Sequence, residues 1–426
     1  MVMKMPSKYL DPLYEKNKYK KTAVFLFFIF QFLTLSLALV YNSGNLKAHD
    51  LYTYIAILLT TMLSTGLVSK VTKGDNIFLL IVNMLFSIGV AVVYRLDPEL
   101  GRKQLIFYIV GIFVFFIAYG ILKMPIKWED LTLFYFLISM VLFIITIVFA
   151  KFTYGAKNWV SIGGVSIQPS EFVKVPLAFF IASFYTNYGE YSKKPFGKYY
   201  MTIGIYIFIV MFFIQRELGT ALIFFGVMII SQFVYERDRK LIAINILATI
   251  MGSILAYFLF SHIRIRVKTW LDPWSVIDDM GYQITQSLFA LASGGLFGTG
   301  LGLGRPDYIP VAESDFIFPA ICEEMGIFMG IAVVMLFLLL VYRALKTSLT
   351  QQNKFYSILS FCVGTLFALQ TFIILGGVLK LIPLTGVTLP FISAGGSSMV
   401  SGFILLACLQ YASEEIKEGE EINEKE

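Results

Sequence analysis

The chain has 426 residues, of which 58% are hydrophobic and 15% are charged, and its mean hydropathy is +0.76. This composition excludes an ordinary soluble globular protein, in which about 45–50% of residues are apolar and about 25% are charged. The formal net charge of +6 combines basic segments beside apolar runs with an acidic tail. We interpret it as a sign of membrane orientation and expect no nucleic-acid partner.

Long apolar runs predict an all-α polytopic helical bundle that forms a single integral membrane domain. A spanning helix needs about 20 apolar residues, and twelve runs come near that length. The segment that opens at Glu171 and the pair divided by Gln215–Glu217 are short or charged, which leaves ten or eleven spans as alternatives. The runs are residues 22–41, 51–69, 76–94, 105–122, 131–150, 171–185, 200–214, 218–234, 241–260, 316–342, 356–379 and 390–411.

The distribution of lysine and arginine predicts the orientation. Basic residues accumulate on the cytoplasmic side of membrane proteins, so the lysines before the first run place the N-terminus in the cytoplasm. An even number of spans then places the C-terminus there too, and loops 151–170 and 261–315 face outward. The first run is too long for a signal peptide and is read as a retained helix. The lysines are Lys4, Lys8, Lys16, Lys18, Lys20 and Lys21.

The segment Gln168–Lys174 opens a predicted span with polar and charged residues. Ser170 is available as the helix N-cap, and Glu171 falls in the first turn, where the helix dipole favours an anion. Lys174 follows three residues later and can pair with Glu171 on one helix face. The pair has two interpretations: a structural ion pair, or a lysine that anchors phosphate in an outward cavity.

The next polar segment, Gln215–Thr220, joins two apolar runs with almost no loop. It places Arg216 and Glu217 at or near the predicted outer interface. Snorkelling with local pairing explains these charges as well as a substrate contact does.

The outer loop 261–315 contains an amphipathic pattern over Tyr282–Ser293, which predicts a helix lying on the outer surface. The glycine-rich segment Gly294–Gly304 follows it and lacks the Gly-Lys-Ser/Thr ending of a phosphate loop. We interpret it as backbone that turns tightly against the bundle, with close approach to a diphosphate as the alternative.

Four carboxylates, on Glu313, Asp315, Glu323 and Glu324, stand where this loop becomes an apolar run. A carboxylate at membrane depth costs about 2.5–3.5 kcal/mol, so it is seldom there without a partner or a function. Pro319 suits the first turn of the following helix, which puts Asp315 just before that helix and within reach from outside. The cluster is either structural or a functional site.

Near the C-terminus, Ile382–Ser398 interrupts an apolar region with prolines, glycines and hydroxyl residues. Irregular backbone at membrane depth is tolerated only where it is buried in protein or lines a wet cavity. Close helix packing through small residues is the alternative.

These same segments resemble the SEDS family, the RodA/FtsW/SpoVE proteins of bacterial elongation, division and sporulation. The resemblance covers about residues 155–411, in family order, whereas residues 22–150 hold an apparent extra helix pair and residues 412–426 form an acidic cytoplasmic tail. The matching residues are Gly155–Trp159, Gln168–Glu171 with Lys174, Gln215 with Leu218–Thr220, Gly281–Gln283 with Gln286 and Ser287, Gly300–Gly302, Asp315–Phe318 with Glu323 and Glu324, and Pro390 and Phe391 with Gly395–Ser398.

The resemblance implies a peptidoglycan glycosyltransferase that polymerises lipid II into glycan strands at the outer face of the cytoplasmic membrane, with a class B penicillin-binding protein as partner. By position, Asp315 matches the essential aspartate of the family and Glu323 its second acid. Glu171 and Lys174 match its charged pair, and Trp159 matches its loop tryptophan. Two segments depart from the family pattern: Lys157 and Asn158 stand where an arginine is usual, and Arg216-Glu217 replaces Pro-Asp.

Chemistry then suggests roles for these residues. Joining a sugar hydroxyl to an α-linked diphosphate sugar with inversion needs a base and positive charge for the leaving diphosphate. We assign Asp315 as the base, and Lys174, with Arg216 or a divalent cation (Mg²⁺ or Mn²⁺), to the diphosphate. Glu171 orients the lysine, and Glu323 tunes Asp315 or helps to hold the metal. Gln168, Ser397 and Ser398 complete the predicted substrate-binding set.

Two other functions use the same residues. A flippase for the lipid-linked precursor would place these charges along a translocation path, and a non-enzymatic scaffold would recruit wall-synthesis partners. A flippase needs polar groups that face both leaflets, whereas the charges identified here cluster towards the predicted outer side. The pattern therefore favours the enzyme.

Overall fold

The computed structural model describes residues 21–41, 48–153, 156–162, 165–278 and 281–414. The predicted N-terminal lysines before Lys21, Gly155 of the tryptophan segment and the acidic tail from residue 415 lie outside the described residues.

The described residues are mostly helical, which confirms the predicted polytopic helical membrane protein. Within these ranges, ten helices are long and apolar enough to cross a membrane, at the lower end of the predicted number. The other two predicted spans are also helices, but α6 begins with Glu171 and Lys174, and α15 has only 17 residues. The helices are α1 (Lys21–Tyr41), α2 (Ala48–Val71), α3 (Ile77–Leu96), α4 (Pro98–Leu122), α5 (Thr132–Phe149), α6 (Pro169–Thr186), α7 (Tyr188–Tyr191), α8 (Tyr200–Gln215), α9 (Leu218–Tyr235), α10 (Arg239–Leu259), α11 (Ser261–Leu271), α12 (Tyr282–Gly294), α13 (Ile317–Thr350), α14 (Lys354–Val378) and α15 (Gly396–Ala412).

Polar contacts attach α1 and α2 to the rest of the bundle. Gln31 on α1 donates to Ser87 on α3 at 2.9 Å, and Asn83 on α3 donates to Thr65 on α2 at 2.9 Å. All four side chains are buried. In lipid, helices gain little from apolar contact alone, so hydrogen bonds of this kind help to fix their packing.

Helices α3 and α14 lie at the centre of the bundle, with 83% and 78% of their spans buried. Helix α14 packs against α6, α9, α13 and α15, and α3 packs against α4 and α13. This central position matters because α6 and α13, which carry Glu171, Lys174, Glu323 and Glu324, pack against these two helices.

The segment predicted as an outer loop at 151–170 contains a small antiparallel sheet, which the sequence analysis missed. Strands β1 (Lys151–Thr153), β2 (Ala156–Ile162) and β3 (Val165–Ile167) pair in the order β1-β2-β3, with Trp159 opposite Lys151. The β-branched residues in β2 and β3 favour this extended backbone. The strands are too short to be recognised by periodicity alone.

Helix α13 is interrupted at Gly326, and the glycine-rich segment Gly294–Gly304 is built into the interruption. The backbone N–H groups of Ile327 and Phe328 donate to the carbonyls of Gly295 and Leu296 at 3.0 and 3.4 Å. In a continuous helix they would donate to Glu323 and Glu324. Those two carbonyls instead accept from Thr299 and Gly300 of the glycine-rich segment, at 2.9 and 3.0 Å. The segment therefore completes the hydrogen bonds that the broken helix lacks.

Glycine is required on both sides of this junction. Gly326 has φ of 83° and ψ of 168°, a conformation that side chains rarely adopt. A Cβ on Gly326 would lie 2.4 Å from the carbonyl oxygen of Leu296, and a Cβ on Gly298 would lie 2.3 Å from that of Glu324. The expectation that the glycines allow tight turns against the bundle agrees with this packing.

The irregular segment Ile382–Gly395, which we call the crossover segment, joins the end of α14 to α15. Its residues Val387, Leu389, Phe391 and Ile392 are buried. The backbone at this depth is therefore enclosed by protein, one of the two conditions under which the sequence analysis expected irregular structure to be tolerated.

Candidate functional site

The crossover segment holds the carboxylate loop in place. Ser393 donates from Oγ to the carbonyl of Ser314 at 2.7 Å, and the backbone N–H of Ala394 donates to the carbonyl of Glu313 at 2.8 Å. As predicted, Asp315 immediately precedes α13 and Pro319 lies in its first turn. The crossover segment thus holds the two residues that precede Asp315.

Asp315 is half-buried beside Gly386 of the crossover segment. Its Oδ1 accepts a hydrogen bond from Ser314 Oγ at 2.8 Å, and its Oδ2 lies 3.5 Å from the position that a Cβ on Gly386 would occupy. Arg266 on α11 reaches the preceding residues, since its Nη1 donates to the carbonyls of Leu384 and Thr385 at 3.1 and 3.0 Å. Asp315 and Arg266 therefore meet the crossover segment at neighbouring residues.

Burial raises the pKa of the Asp315 carboxyl above its ordinary value, while the Ser314 hydrogen bond and the Arg266 charge act to lower it. The nearby Glu313 charge raises it further. A raised carboxyl pKa strengthens the group as a proton acceptor, as long as the operating pH keeps it ionised. These features suit the predicted role of Asp315 as a base.

Lys174 and Glu171 form the ion pair that their spacing predicts. Both side chains are buried, and Lys174 Nζ lies 2.8 Å from each oxygen of Glu171 and 2.9 Å from Oε1 of Gln370 on α14. A lysine ammonium has three N–H donors, so these contacts use all of them. Contact between Lys174 and a diphosphate would require one of these bonds to be replaced, and that role stays a prediction.

Gln370 links this pair to the crossover segment. Its Nε2 donates to the carbonyl of Thr388 at 2.9 Å, and Thr388 Oγ1 donates to Ser398 Oγ at 3.0 Å. Ser398, a predicted substrate-binding residue, is therefore engaged within the protein at the start of α15.

Glu217 collects hydrogen bonds from residues of two other elements. Its Oε1 accepts from Asn158 Nδ2 on β2 at 2.8 Å, from Ser170 Oγ on α6 at 3.0 Å, and from Gln168 Nε2. Burial raises the pKa of the Glu217 carboxyl, and the three hydrogen bonds oppose that effect. Asn158 and Glu217, two of the departures from the family pattern, thus contact each other directly.

The prediction that Ser170 caps α6 is wrong. The helix begins at Pro169, the N-cap position is Gln168, and the Ser170 hydroxyl turns to Glu217 instead. Proline suits the first helical turn because its missing N–H has no partner there. The backbone N–H of Gln168 donates to Ser397 Oγ at 2.9 Å, so two predicted binding residues contact each other.

Trp159 and Arg216 lie around this cluster. Trp159 is half-buried on β2, next to Asn158. Arg216 is exposed and has φ of 62°, which ends α8 and turns the chain into α9. The structure therefore places both at the same end of the bundle as Glu217.

Glu323 and Glu324 contact the glycine-rich segment rather than Asp315. Glu323 Oε1 accepts from the backbone N–H of Arg305 at 2.8 Å. Glu324 Oε1 accepts from the backbone N–H of Gly302 at 3.2 Å and forms a 2.8 Å ion pair with Arg95 Nε on α3. Both carboxylates are buried and join α13 to the chain that follows α12, and the predicted role of Glu323 beside Asp315 stays a prediction.

These positions do not suit a metal ion. Among the residues that the structure describes, no group of three or more His, Cys, Asp or Glu side chains could hold one. Glu323 accepts a hydrogen bond from a backbone amide, and Glu324 forms an ion pair with an arginine. The divalent cation stays a prediction.

Three residues of these networks were missed by the sequence analysis: Arg95, Arg266 and Gln370. Arg95 ends an N-terminal span in which no site residue was expected, and Arg266 lies in a part of the predicted outer loop where the sequence analysis named no motif. Gln370 is a polar residue within an apolar span, which is a signal for a buried partner. Its partner could not be identified, because Lys174 and Gln370 are 196 residues apart in the chain.

Comparisons with known proteins agree with the family resemblance. Residues 73–418 match a family model described as "Cell cycle protein", that of FtsW, RodA and SpoVE. "Peptidoglycan glycosyltransferase RodA" from Mycobacterium bovis is 32% identical over 369 residues, which cover 79% of this chain and 77% of that protein. "Stage V sporulation protein E" from Bacillus subtilis is 30% identical over 348 residues, 78% of this chain and 94% of that protein.

Solved structures share the fold. A chain from a structure titled "Structural coordination of polymerization and crosslinking by a peptidoglycan synthase complex" matches with a TM-score of 0.65 and 22% identity, covering 79% of this chain and 97% of that one. Thermus thermophilus RodA matches with a TM-score of 0.57 and 19% identity, covering 79% and 96%. Helices α1 and α2 precede the residues that the family model matches. On the evidence of its sequence, this chain belongs to the FtsW/RodA/SpoVE family of cell cycle proteins.

Proposed function

We propose that this protein is a peptidoglycan glycosyltransferase that polymerises lipid II at the outer face of the cytoplasmic membrane. The observation that carries the proposal is the 32% identity with peptidoglycan glycosyltransferase RodA over 79% of the chain. The setting of Asp315, in a loop fixed by the crossover segment with Arg266 close by, supports it. The end of the bundle that carries Asp315 would face the cell exterior, where the growing glycan lies.

In the proposed reaction, the acceptor 4-hydroxyl oxygen attacks the anomeric carbon of the donor sugar and its proton passes to Asp315. The bond from that carbon to the diphosphate oxygen breaks, and the lipid diphosphate leaves with its negative charge. A positioned base contributes typically 10²–10⁴-fold to such a step. The donor's lipid tail can stay in the bilayer throughout.

The proposed partner is a class B penicillin-binding protein. Its support is that one similar solved structure is a peptidoglycan synthase complex that coordinates polymerisation with crosslinking. Exposed apolar side chains cover much of α1, α2 and α10, and these surfaces face lipid or a membrane partner.

Polymerisation of labelled lipid II by the purified protein, with and without such a transpeptidase, tests the proposal. We expect glycan chains from the wild type and none from Asp315→Asn. Equal polymer from Asp315→Asn would remove the base assignment. No polymer from a folded wild-type protein with its partner would instead favour a flippase or a scaffold.

A further inference from the structure

We propose that Arg266, with Arg216 and His262, forms the site that binds the diphosphate of the lipid-linked donor next to Asp315. This inference rests on the proposed function and deepens it. The diphosphate leaving group is assigned mainly to α11, where the sequence analysis named no site residue, and no longer to Lys174.

Helix α11 presents three of its polar or aromatic side chains on one face. His262, Arg266 and Trp270 are spaced four residues apart and therefore share one helix face. Trp270 Nε1 donates to the carbonyl of Lys380 at 3.1 Å, and Arg266 Nη1 donates to the carbonyls of Leu384 and Thr385. This face of α11 is thus held against the chain that leaves α14.

Aromatic contacts bring the end of α8, and with it Arg216, close to α11. Phe260, at the junction of α10 and α11, lies 6.3 Å from Phe213 of α8 and 5.6 Å from His262, measured between ring centroids. Arg216 follows Phe213 by three residues, and its backbone N–H donates to the carbonyl of Phe213 at 3.1 Å. The charges of Arg216 and Arg266 both act to lower the pKa of His262, after the larger effect of its burial. Both arginines therefore lie close enough to His262 to act on its charge.

Lys174 and Arg266 differ in the N–H donors that they can offer to a phosphate. Lys174 is buried and donates its N–H groups to Glu171 and Gln370. Arg266 is exposed, and its hydrogen bonds to the crossover segment use Nη1. A guanidinium has five N–H donors in a planar fork that fits phosphate oxygens. Arg266 can therefore receive an oxyanion without giving up its anchoring bonds.

Arg266 also lies close to Asp315, the proposed base. Arg266 meets the crossover segment at Thr385, and Asp315 meets it at Gly386, the next residue. A diphosphate on Arg266 would present the sugar attached to it to the side of the site where Asp315 lies. Asp315 and Arg266 also influence each other's pKa electrostatically, which agrees with this proximity.

The chemistry recognised is a phosphate oxyanion joined to an apolar chain, which a lipid diphosphate and an anionic phospholipid share. Binding to the purified protein in detergent separates them, with undecaprenyl diphosphate, uncharged undecaprenol and phosphatidylglycerol as probes. Arg264→Gln is the matched control, because Arg264 lies on the opposite face of α11 and donates to the carbonyl of Phe258.

We expect Arg266→Gln to weaken undecaprenyl diphosphate binding by about ten-fold or more, the loss of one charge-assisted hydrogen bond. Arg266→Lys keeps the charge but not the fork and should fall between the two. Arg264→Gln should bind like the wild type, and binding of undecaprenol and phosphatidylglycerol should not change. Thermal unfolding checks that each variant is folded.

Unchanged diphosphate binding by folded Arg266→Gln would overturn the inference, as would an equal loss in Arg264→Gln. An equal loss of phosphatidylglycerol binding would also overturn it, because the site would then be a general headgroup site. The binding assay is independent of polymerisation. Wild-type protein that binds undecaprenyl diphosphate through Arg266 but makes no polymer would refute the proposed function and leave the site standing.

Discussion

Gln370 accepts a hydrogen bond from Nζ of Lys174 at 2.9 Å and donates one from Nε2 to the carbonyl of Thr388 at the same distance. One side chain thus joins the charged pair of α6 to the crossover segment. Thr385 and Gly386, which precede Thr388 in that segment, lie against Arg266 and Asp315. A substitution of Gln370 should therefore alter the position of Asp315, although Gln370 lies within a membrane span.

Methionine is close to glutamine in size but has no amide group, so Gln370→Met removes both hydrogen bonds without a large change in volume. We expect kcat for lipid II polymerisation to fall by about ten-fold, because a shift of the crossover segment would misplace Asp315. Gln370→Glu keeps an acceptor for Lys174 but loses the donor to Thr388, so it should restore only part of the rate.

Gln232→Met is the control for that experiment. Gln232 is also a buried glutamine between helices, but it donates to Thr202 at 2.9 Å and does not contact the crossover segment. Both variants should lose about 1–3 kcal/mol of stability, since each leaves buried partners unsatisfied. Similar losses of kcat in the two variants would contradict a positioning role for Gln370.

The raised pKa of Asp315 has a consequence for the pH dependence of the rate. The base acts only when it is ionised, so kcat/KM should fall as the pH drops through the pKa of Asp315, which lies above that of an ordinary aspartate. Arg266→Gln removes a charge that lowers this pKa, so the acidic limb of the profile should move to higher pH. Arg266→Lys should leave the limb near its wild-type position. Identical limbs in the wild type and Arg266→Gln would show that Arg266 does not act on the base.

The same pKa shift predicts how Asp315 affects stability. A carboxyl whose pKa is raised by folding stabilises the protein below its unfolded pKa, and that contribution is lost as the pH rises through its folded pKa. Asp315→Asn does not ionise, so its Tm should exceed that of the wild type at neutral pH, and the difference should vanish in acid. Thermal unfolding across pH measures it, and a difference that grows in acid would contradict the raised pKa.

The junction at Gly326 predicts a large effect from a single methyl group. Gly326→Ala should cost at least about 2 kcal/mol, because alanine is strained at this φ and its Cβ would strike the carbonyl of Leu296. Gly252→Ala on α10 is the control, since a Cβ there has open space around it. Unfolding in detergent compares the two, and equal Tm values would show that the junction adapts.

The ion pair between Arg95 and Glu324 should be strongly coupled. Glu324 has 0% and Arg95 6% of its side chain exposed, and removing one partner of a buried pair typically costs about 3–5 kcal/mol. Arg95→Met should therefore destabilise the protein more than the double variant Arg95→Met with Glu324→Gln. A double-mutant cycle of unfolding free energies measures the coupling, and additive losses would mean that Glu324 is supported by the glycine-rich segment alone.

Local spacing gave several contacts of the site directly. The Glu171–Lys174 pair, the helix over Tyr282–Gly294 and the place of Asp315 ahead of α13 all follow from one or two turns of helix. Such relationships depend on geometry that is the same in every helix. There are two exceptions. The strands between residues 151 and 167 were missed because they are too short to show a period. The cap at Ser170 is wrong because the Ser170 hydroxyl donates to Glu217, a residue distant in the chain.

The amino-acid sequence by itself determined that the chain spans a membrane many times, since apolar runs of this length have no other stable setting, and motif order determined its family. Only the tertiary structure decided which charges neutralise one another. It paired Glu324 with Arg95, enclosed Lys174 with Gln370 and left Arg266 exposed beside Asp315. The physical reason is that the energy of a charge depends on its burial and its partner, and both are set by helices far apart in the chain.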